Sequence, residues 1–566
     1  MKQLTILIFL AVVLSGCYKD KFFELKNPPE FPWQSVREFE MAVAAPYNKI
    51  FYTGWGGSFV MSDKVIFDAM TDIIYLIPGV AENWPHDEVY YRQTTVRNEI
   101  ADQCFESAFK AINNINFALD YVEPIDNPDH PFGNIQGNQL TELKRQIGEL
   151  HFLRAFSYFH LVMRHCPAPG SSGFSSANII PFRNQWTFNT DTMRQPPLAS
   201  GRKVIEEIVI PDLQIARAYL PLKYTSSNHA SYQFGRADQL AAYAMSSRVF
   251  LWLKQESMGY DPWDSAYIYS DYVITNAAAG GHDLSEEPII AFSRSTATLA
   301  KEVLWEGIFY DTEYPHTPKD ATLFTWNRYA ASSGWPDYTP NVPYTTTNDS
   351  LFLLQTRNNR CTWHTYCMSF ETAKYIDWID KTDSSQTLNA ANDKRYKQLY
   401  LRVDPVPTDI LNASIWKLYE NKTPWVLKPQ IWCHKYFRGA KGDYSNVPVI
   451  RLPEMYLTRA ITALGSTNHK NAGLALSDIN VIRARAGLTA LPGPVTEEDI
   501  HKERIKELAF EGDRLLYLIA IGQTKDSDGV KHNGIPPGDR TDRTDIPLGD
   551  ARLYWQLPLT ETQFYE

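Results

Sequence analysis

Between Arg451 and Gly522 the chain reads RLPEMYLTRAITALG at 451–465, NAGLALSDINVIRARAG at 471–487 and TEEDIHKERIKELAFEGDRLLYLIAIG at 496–522, and these three stretches decide the fold. Pro453 suits a first helical turn, and Tyr456, Ala460, Ala463 and Leu464 recur at helical spacing as far as Gly465. Asn471 can cap a second helix, whose apolar stripe is Ala472, Leu476, Ile479, Ile482 and Ala486 and whose stop is Gly487. Thr496 caps a third over the acidic turn Glu497, Glu498 and Asp499, which complements the helix dipole, and the pattern predicts one helix running to about Gly522.

The apolar stripe of that third helix, Ile500, Leu508, Leu515 and Leu518, also carries Arg504 and Glu511. Charges on a buried face need partners. Glu507 and Arg514 stand three residues away on the same side, so Arg504, Glu507, Glu511 and Arg514 are read as an ion-pair network inside a helical array, in preference to a catalytic acid/base cluster. The run Arg451, Leu452, Glu454, Tyr456, Leu457, Arg459, Ala460, then Asn480, Arg483, Arg485, Ala486, Gly487, then Glu503, Arg504, Glu507, Leu508, Glu511, Gly512, Arg514 resembles the C-terminal signature of the SusD/RagB family, nutrient-binding outer-membrane lipoproteins of Bacteroidetes-type bacteria. Ile461, Tyr517 and Ala520 depart from the family pattern, where acidic, Asp and Arg residues are usual. All three fall on helical scaffold.

The start of the chain tells where the protein resides. Met1 and Lys2 precede an apolar run from Leu4 to Leu14, too short to span a bilayer and typical of a secretory signal. Leu14-Ser15-Gly16-Cys17 reads as a lipobox, in which Cys17 is acylated and becomes the first residue of the mature chain. Each buried methylene adds about 0.8 kcal/mol, so several acyl chains hold a protein on a membrane without a spanning helix. The expected organisation is a signal peptide over 1–16, a Pro-containing tether over 17–34, helical pairs over 35–283, an irregular insertion over 284–446, and helices over 447–566 that complete the same domain.

Composition bounds the function. The net charge of −10, with no basic stripe, argues against nucleic acid, while 13% aromatic residues, including 15 Trp and 32 Tyr, exceed what a helical core needs. Helical stripes recur at Ser35 to Phe51, where Pro46 is expected to kink or end the helix, at Ile100 to Leu119, and at Leu143 to Arg164, which is apolar on most faces. Within the last, Glu149, Phe152, Leu153, Arg154, Ala155, Tyr158, Phe159 and Leu161 resemble a second signature of the same family, and Glu149 and Arg154 are read as a buried pair. Val204 to Leu220, Gln239 to Lys254 and Trp263 to Ala279 continue as helices with small residues at their contacts. The expected fold is mainly α: a tetratricopeptide-like solenoid of helical pairs with a long irregular insertion, as the resemblance also implies.

No hydrolase elbow, metalloprotease motif, phosphate loop or dinucleotide fingerprint is present. Cys361-x-x-His364-x-x-Cys367, with Cys433 and His434 downstream, is the strongest metal candidate, yet its spacing fits no common zinc site and a Cys361–Cys367 disulfide is the preferred reading. Asp526-Ser527-Asp528-Gly529 falls short of a calcium loop and reads as a solvated turn. No metal or cofactor is expected.

What remains is aromatic surface. Sugar rings pack their C–H faces on flat aromatics while Asn, Asp and Arg meet the hydroxyls, so Trp326-Asn327-Arg328-Tyr329 and Trp335-Pro336-Asp337-Tyr338 have the composition of an oligosaccharide site. Asn83-Trp84 joins them, because the resemblance places binding residues in the early loop as well. Trp84, Trp326, Tyr329, Trp335 and Tyr338 are the candidate ligand residues, and Trp305 is assigned to core. The resemblance implies a non-enzymatic glycan-binding lipoprotein on the outside of the outer membrane, acting as the lid of a TonB-dependent, SusC-like transporter. Peptide binding, a surface glycosidase and a purely structural scaffold are the alternatives.

Overall fold

A computed structural model describes residues 33–51, 64, 66–76, 86–186, 195–228, 231–292, 300–308, 366–403, 429–433, 435, 447–540 and 544–565. Cys17, Trp84, Trp326, Tyr329, Trp335 and Tyr338 all lie outside the described residues.

Helix α1 (Val36–Phe51) packs on α3 (Glu99–Val122), with strand β1 (Ile74–Leu76) and the short α2 (His86–Tyr90) between them in sequence. Helix α1 does not end at Pro46 but runs through it. The missing N–H costs one helical bond, and burial of Val43, Pro46 and Ile50 offsets it. Asn98 caps α3 by accepting from the backbone N–H groups of Ile100 and Ala101. Next comes α4 (Gly137–His165), the hub of the molecule, whose residues from Arg145 to His165 are buried on every face.

The array continues through α5 (Ile210–Tyr219), α6 (Gln239–Trp252) and α7 (Pro262–Gly280), each packed on its predecessor. Asp238 and Asp261 cap the last two. Ala241, Ala242 and Ala244 are fully buried at the close α6–α7 contact. The chain then leaves the array for strand β2 (Val303–Gly307), β3 (Tyr366–Met368), α8 (Phe370–Tyr375), α9 (Lys394–Leu399), β4 (Tyr400–Val403), β5 (Gln430–Cys433) and β6 (Val447–Arg451). Among the described residues these strands pair in twos: β1 with β3, β2 with β6 and β4 with β5, all antiparallel. Strand β6 feeds α10 (Leu452–Gly465), which packs against α7 and is followed by α11 (Ala472–Arg485). In this way β2–β6 returns the chain to the face it left. Trp305 of β2 is fully buried among Phe51, Phe152 and Phe156, as expected, and Trp378 is core too.

The third C-terminal helix is two helices, α12 (Glu497–Leu508) and α13 (Asp513–Ile521), followed by the hairpin β7 (Gln523–Lys525) and β8 (Lys531–Asn533). Thr496 and Asp499 form the expected capping box of α12. The break falls where Phe510 and Gly512 take left-handed backbone angles of φ 66° and 79°. Glycine adopts that conformation at little cost. The new helix end is satisfied from afar: Asp68 accepts from the backbone N–H groups of Gly512 at 3.3 Å and Arg514 at 3.1 Å.

The buried charges also pair differently from expectation. Glu507 accepts from Arg451 at 3.0 Å and from Arg485, with Arg395 at 3.5 Å, while Glu511 meets Arg451 and Lys435, both at 2.6 Å. Arg504 pairs with Asp513 and Arg514 with Asp72. The four residues are therefore not partners of one another: the break at 509–512 turns α13 away, Glu507 and Glu511 share Arg451, and Arg504 and Arg514 pair with Asp513 and Asp72. Glu149 and Arg154 are likewise both buried but do not pair: Glu149 holds Arg145 and Arg236, and Arg154 holds Asp212. Tyr517, at a position where the family usually carries Asp, donates or accepts one hydrogen bond with His501 at 2.7 Å and lies under the Arg504 guanidinium.

Candidate functional site

The β1–β3 ladder gathers the parts of a site. Its register sets Ile74 opposite Met368, Tyr75 opposite Cys367 and Leu76 opposite Tyr366. Leu76 is the last described residue before 77–85, the stretch carrying Trp84, and Tyr366 is the first described after 309–365, the stretch carrying Trp326, Tyr329, Trp335 and Tyr338. The two stretches thus attach to neighbouring ends of one antiparallel pair. Tyr91 stands close by with half its surface exposed, its ring 5.2 Å from that of Tyr90, which in turn lies 6.5 Å from Tyr366.

An open cleft of about 470 Å³ lies against the same ladder, within the usual size range of small-ligand pockets. Tyr75, Phe370 and Tyr375 give it aromatic walls, and Glu371, Asp526 and His532 give it polar ones. The β1 side is held by the 536–540 loop. Arg540 donates to the carbonyls of Ala69, Thr71 and Tyr90 and lies 4.1 Å over the Tyr90 ring. Gly538, at φ 60°, comes so close to residue 72 that a Cβ there would stand 2.7 Å from the Asp72 carbonyl oxygen. Only glycine fits. On the other side Asp539 accepts from the Phe370 N–H, and Thr372 donates to the Asp72 carbonyl at 2.8 Å.

The electrostatics suit binding by hydrogen bonds. Burial pushes the Tyr75 phenol above its usual range and Tyr90 up to about 12, so both are neutral donors. Burial opposes the charged form of His532, but the hydrogen bond and charge of Asp545, 2.6 Å away, joined by Asp526, raise its pKa. The turn expected at 526–529 joins β7 to β8, with Asp526 accepting from the N–H groups of Asp528 and Val530. Elsewhere, Glu511 sits at about 2 because Arg451 and Lys435 outweigh the burial that opposes its charge, whereas burial raises Asp68 to about 7. A general acid or base works with a pKa near the ambient pH, so Glu511 serves as scaffold, while Asp68 is engaged in capping α13.

The described residues contain no group of three or more His, Cys, Asp and Glu arranged to hold a metal ion, and no helix long and apolar enough to cross a membrane. Cys367 is a buried free thiol in the middle of β3, so the expected bridge to Cys361 is absent. It is buried opposite Tyr75, and that burial pushes its pKa up. Cys361, His364 and His434 lie outside the described residues. Reading the sequence alone missed Tyr75, Tyr91, Phe370, Glu371 and His532. They come from four separate segments, and the adjacent pair Tyr90-Tyr91 beside the early loop was the one local signal.

Comparison with known proteins agrees with this architecture. Residues 420–519 match the SusD family, and residues 58–251 match a family described as starch-binding associating with outer membrane. The starch-binding protein SusD of Bacteroides thetaiotaomicron is 31% identical over 112 residues, which span 19% of this chain and 19% of that protein. Among solved structures, a SusD superfamily protein from Bacteroides thetaiotaomicron VPI-5482 superposes with a TM-score of 0.65 at 18% identity, covering 94% of this chain and 98% of that one. Surface glycan-binding protein A from Bacteroides uniformis gives 0.61 at 19% identity, covering 94% and 98%. A SusD superfamily protein from Parabacteroides distasonis gives 0.63 at 16%, covering 93% and 97%. With its C-terminal signature and its N-terminal helical half both matched, the chain belongs to the SusD/RagB family.

Proposed function

We propose that this protein is a lipid-anchored glycan-binding protein of the outer-membrane surface, which captures oligosaccharide and passes it to a TonB-dependent transporter of the SusC type. The observation that supports the reading is the register of β1 with β3, which sets Leu76, after which the stretch bearing Trp84 begins, opposite Tyr366, before which the stretch bearing Trp326, Tyr329, Trp335 and Tyr338 ends, with the polar-aromatic cleft against the same ladder. Stacking planes flanked by hydroxyls, carboxylates and imidazole are what a sugar ring requires. The names of the relatives, starch-binding and surface glycan-binding, support the ligand class. Cys17 carries the anchor in this reading, and no residue breaks a bond.

Calorimetry of the purified chain against neutral oligosaccharides and peptide pools, with product analysis after hours of incubation, tests it. Binding of an intact oligosaccharide that weakens on Trp335→Ala or Tyr91→Ala, with no product formed, is the expected outcome. Binding of peptides alone refutes the ligand class. Turnover abolished by one Asp or Glu substitution refutes the non-enzymatic role.

A further inference from the structure

Three helices of the array bring one cation and five aromatic rings together in a patch built from elements other than the β1–β3 ladder. Helix α6 carries Tyr243 and Phe250, two helical turns apart and so on one face; α7 carries Tyr269 and Tyr272 at i, i+3; and Tyr260 precedes α7. Tyr243 stacks on Tyr272 with ring centres 3.8 Å apart, and Phe250 stands 5.6 Å from Tyr269 and 6.4 Å from Tyr260. Half of Tyr260 is exposed.

Arg217 of α5 lies over these rings, 4.5 Å from the centre of Tyr269 and 5.5 Å from that of Tyr243. Its Nη1 donates to the Ser246 hydroxyl. Among the described residues no carboxylate lies within ion-pair reach of it, and its Nε and Nη2, which meet no acceptor, are not among the buried polar atoms. Glu206, whose charge acts on Tyr260, is already paired with Arg202 at 3.0 Å. Burial lowers the pKa of Arg217, with the two tyrosines acting the other way, so the cation is partly stripped of water and lacks a counter-ion. Other arginines of the array, such as Arg145, Arg236 and Arg459, have carboxylate partners. Two parallel N–H donors on a planar guanidinium match the two oxygens of a carboxylate.

The flanking surface decides what bears that carboxylate. All three elements are helices whose backbone groups bond internally, so they give an extended peptide no edge to pair with. They do offer ring planes rimmed by phenolic hydroxyls, which suit a pyranose. We propose that this patch is a second ligand site, which takes the uronate unit of an anionic saccharide, with Arg217 as the carboxylate fork and Tyr260 and Tyr269 as the stacking wall. It stands on different residues from the ladder site and does not depend on that reading.

The test titrates the full chain with trigalacturonate, maltotriose and triglutamate, followed by saturation-transfer NMR and calorimetry. Trigalacturonate should bind, and Arg217→Gln should weaken it by at least about tenfold, as expected for losing a hydrogen bond between charged groups. Maltotriose binding at the ladder should be unchanged by that variant. Tyr260→Ala, at an exposed position that leaves the fold intact, should weaken trigalacturonate too and keeps the test open should Arg217→Gln fail to fold. The proposal is overturned if wild type does not bind trigalacturonate, if neither variant alters its binding, or if triglutamate binds as tightly with the same dependence on Arg217.

Discussion

Glu507→Gln is the sharpest test of the scaffold. The substitution keeps shape and removes one charge from the interior, where the Glu507 side chain has no exposed surface. Around it, Glu302, Glu503, Glu507, Glu511 and Asp393 face Arg395, Arg451, Arg483, Arg485 and Lys435, so five carboxylates balance five cations. The variant leaves one positive charge in excess. Breaking a buried pair by removing one partner costs about 3 to 5 kcal/mol. The Glu511 carboxyl gives an independent scale: its shift from 4.5 to about 2 corresponds to about 3 kcal/mol for one buried carboxylate of the same cluster. At about 2 cal/mol/K per residue, the unfolding entropy of a chain this long converts that loss into a fall of about 2 to 4 °C in Tm. Scanning calorimetry measures it, with Glu106→Gln as the control, because Glu106 pairs with Lys110 on the surface with both side chains more than half exposed. A Tm for Glu507→Gln that tracks the control within half a degree would refute the buried-network reasoning.

Four further outcomes follow from the same reasoning. A carboxylate with a depressed folded pKa contributes stability that is complete above its unfolded pKa and lost as pH falls, so wild type should lose stability between about pH 4.5 and 2, and Glu511→Gln should flatten urea-denaturation profiles in that window. Trp305→Ala should cost about 3 to 5 kcal/mol of folding stability without altering ligand affinity per folded molecule. Trp326→Ala or Trp335→Ala should instead weaken oligosaccharide binding by about 1 to 3 kcal/mol with little change in Tm; the opposite pattern assigns them to core. Cys17→Ala should abolish acylation, and recovery of the variant in the detergent phase with acyl chains attached would contradict the anchor.

The helical array was legible because its signals are local. Asn98, Asn471, Thr496 and Asp238 cap the helices that follow them, and small residues such as Ala241 and Ala244 mark the close contacts. The break at 509–512 was not legible: the stripe of Ile500, Leu508, Leu515 and Leu518 keeps helical period straight across it. What interrupts the helix is distant in sequence, since Asp68 caps its second half and Arg451 draws Glu511 aside. The same limit explains the charges. Burial of Glu149, Arg154, Arg504 and Glu511 follows from their place on apolar faces, whereas the identity of each partner depends on which elements meet, which periodicity does not encode. At the candidate site, composition pointed to the aromatic stretches, while the ladder that joins them consists of three residues per strand and carries no pattern of its own.

That ladder is bound to the charge network through one helix, and this accounts for the division of labour in the chain. Asp72, two residues before β1, pairs with Arg514 in the first turn of α13, and Asp68 caps the same turn, while the segment just before that turn supplies Glu511 to Arg451 and Lys435. On the far side, Thr372 and Arg540 grip the backbone of residues 69–72 from two other segments. The backbone leading into β1 is therefore fixed by side chains from several segments, of which Asp72, Thr372 and Arg540 also line the cleft. On the proposed reading, substitutions in 77–85 and 309–365 change what is bound, and none of the bonds just named is drawn from those stretches. A scaffold determined by ion pairs and a site determined by the stretches it holds together lets one fold serve different ligands.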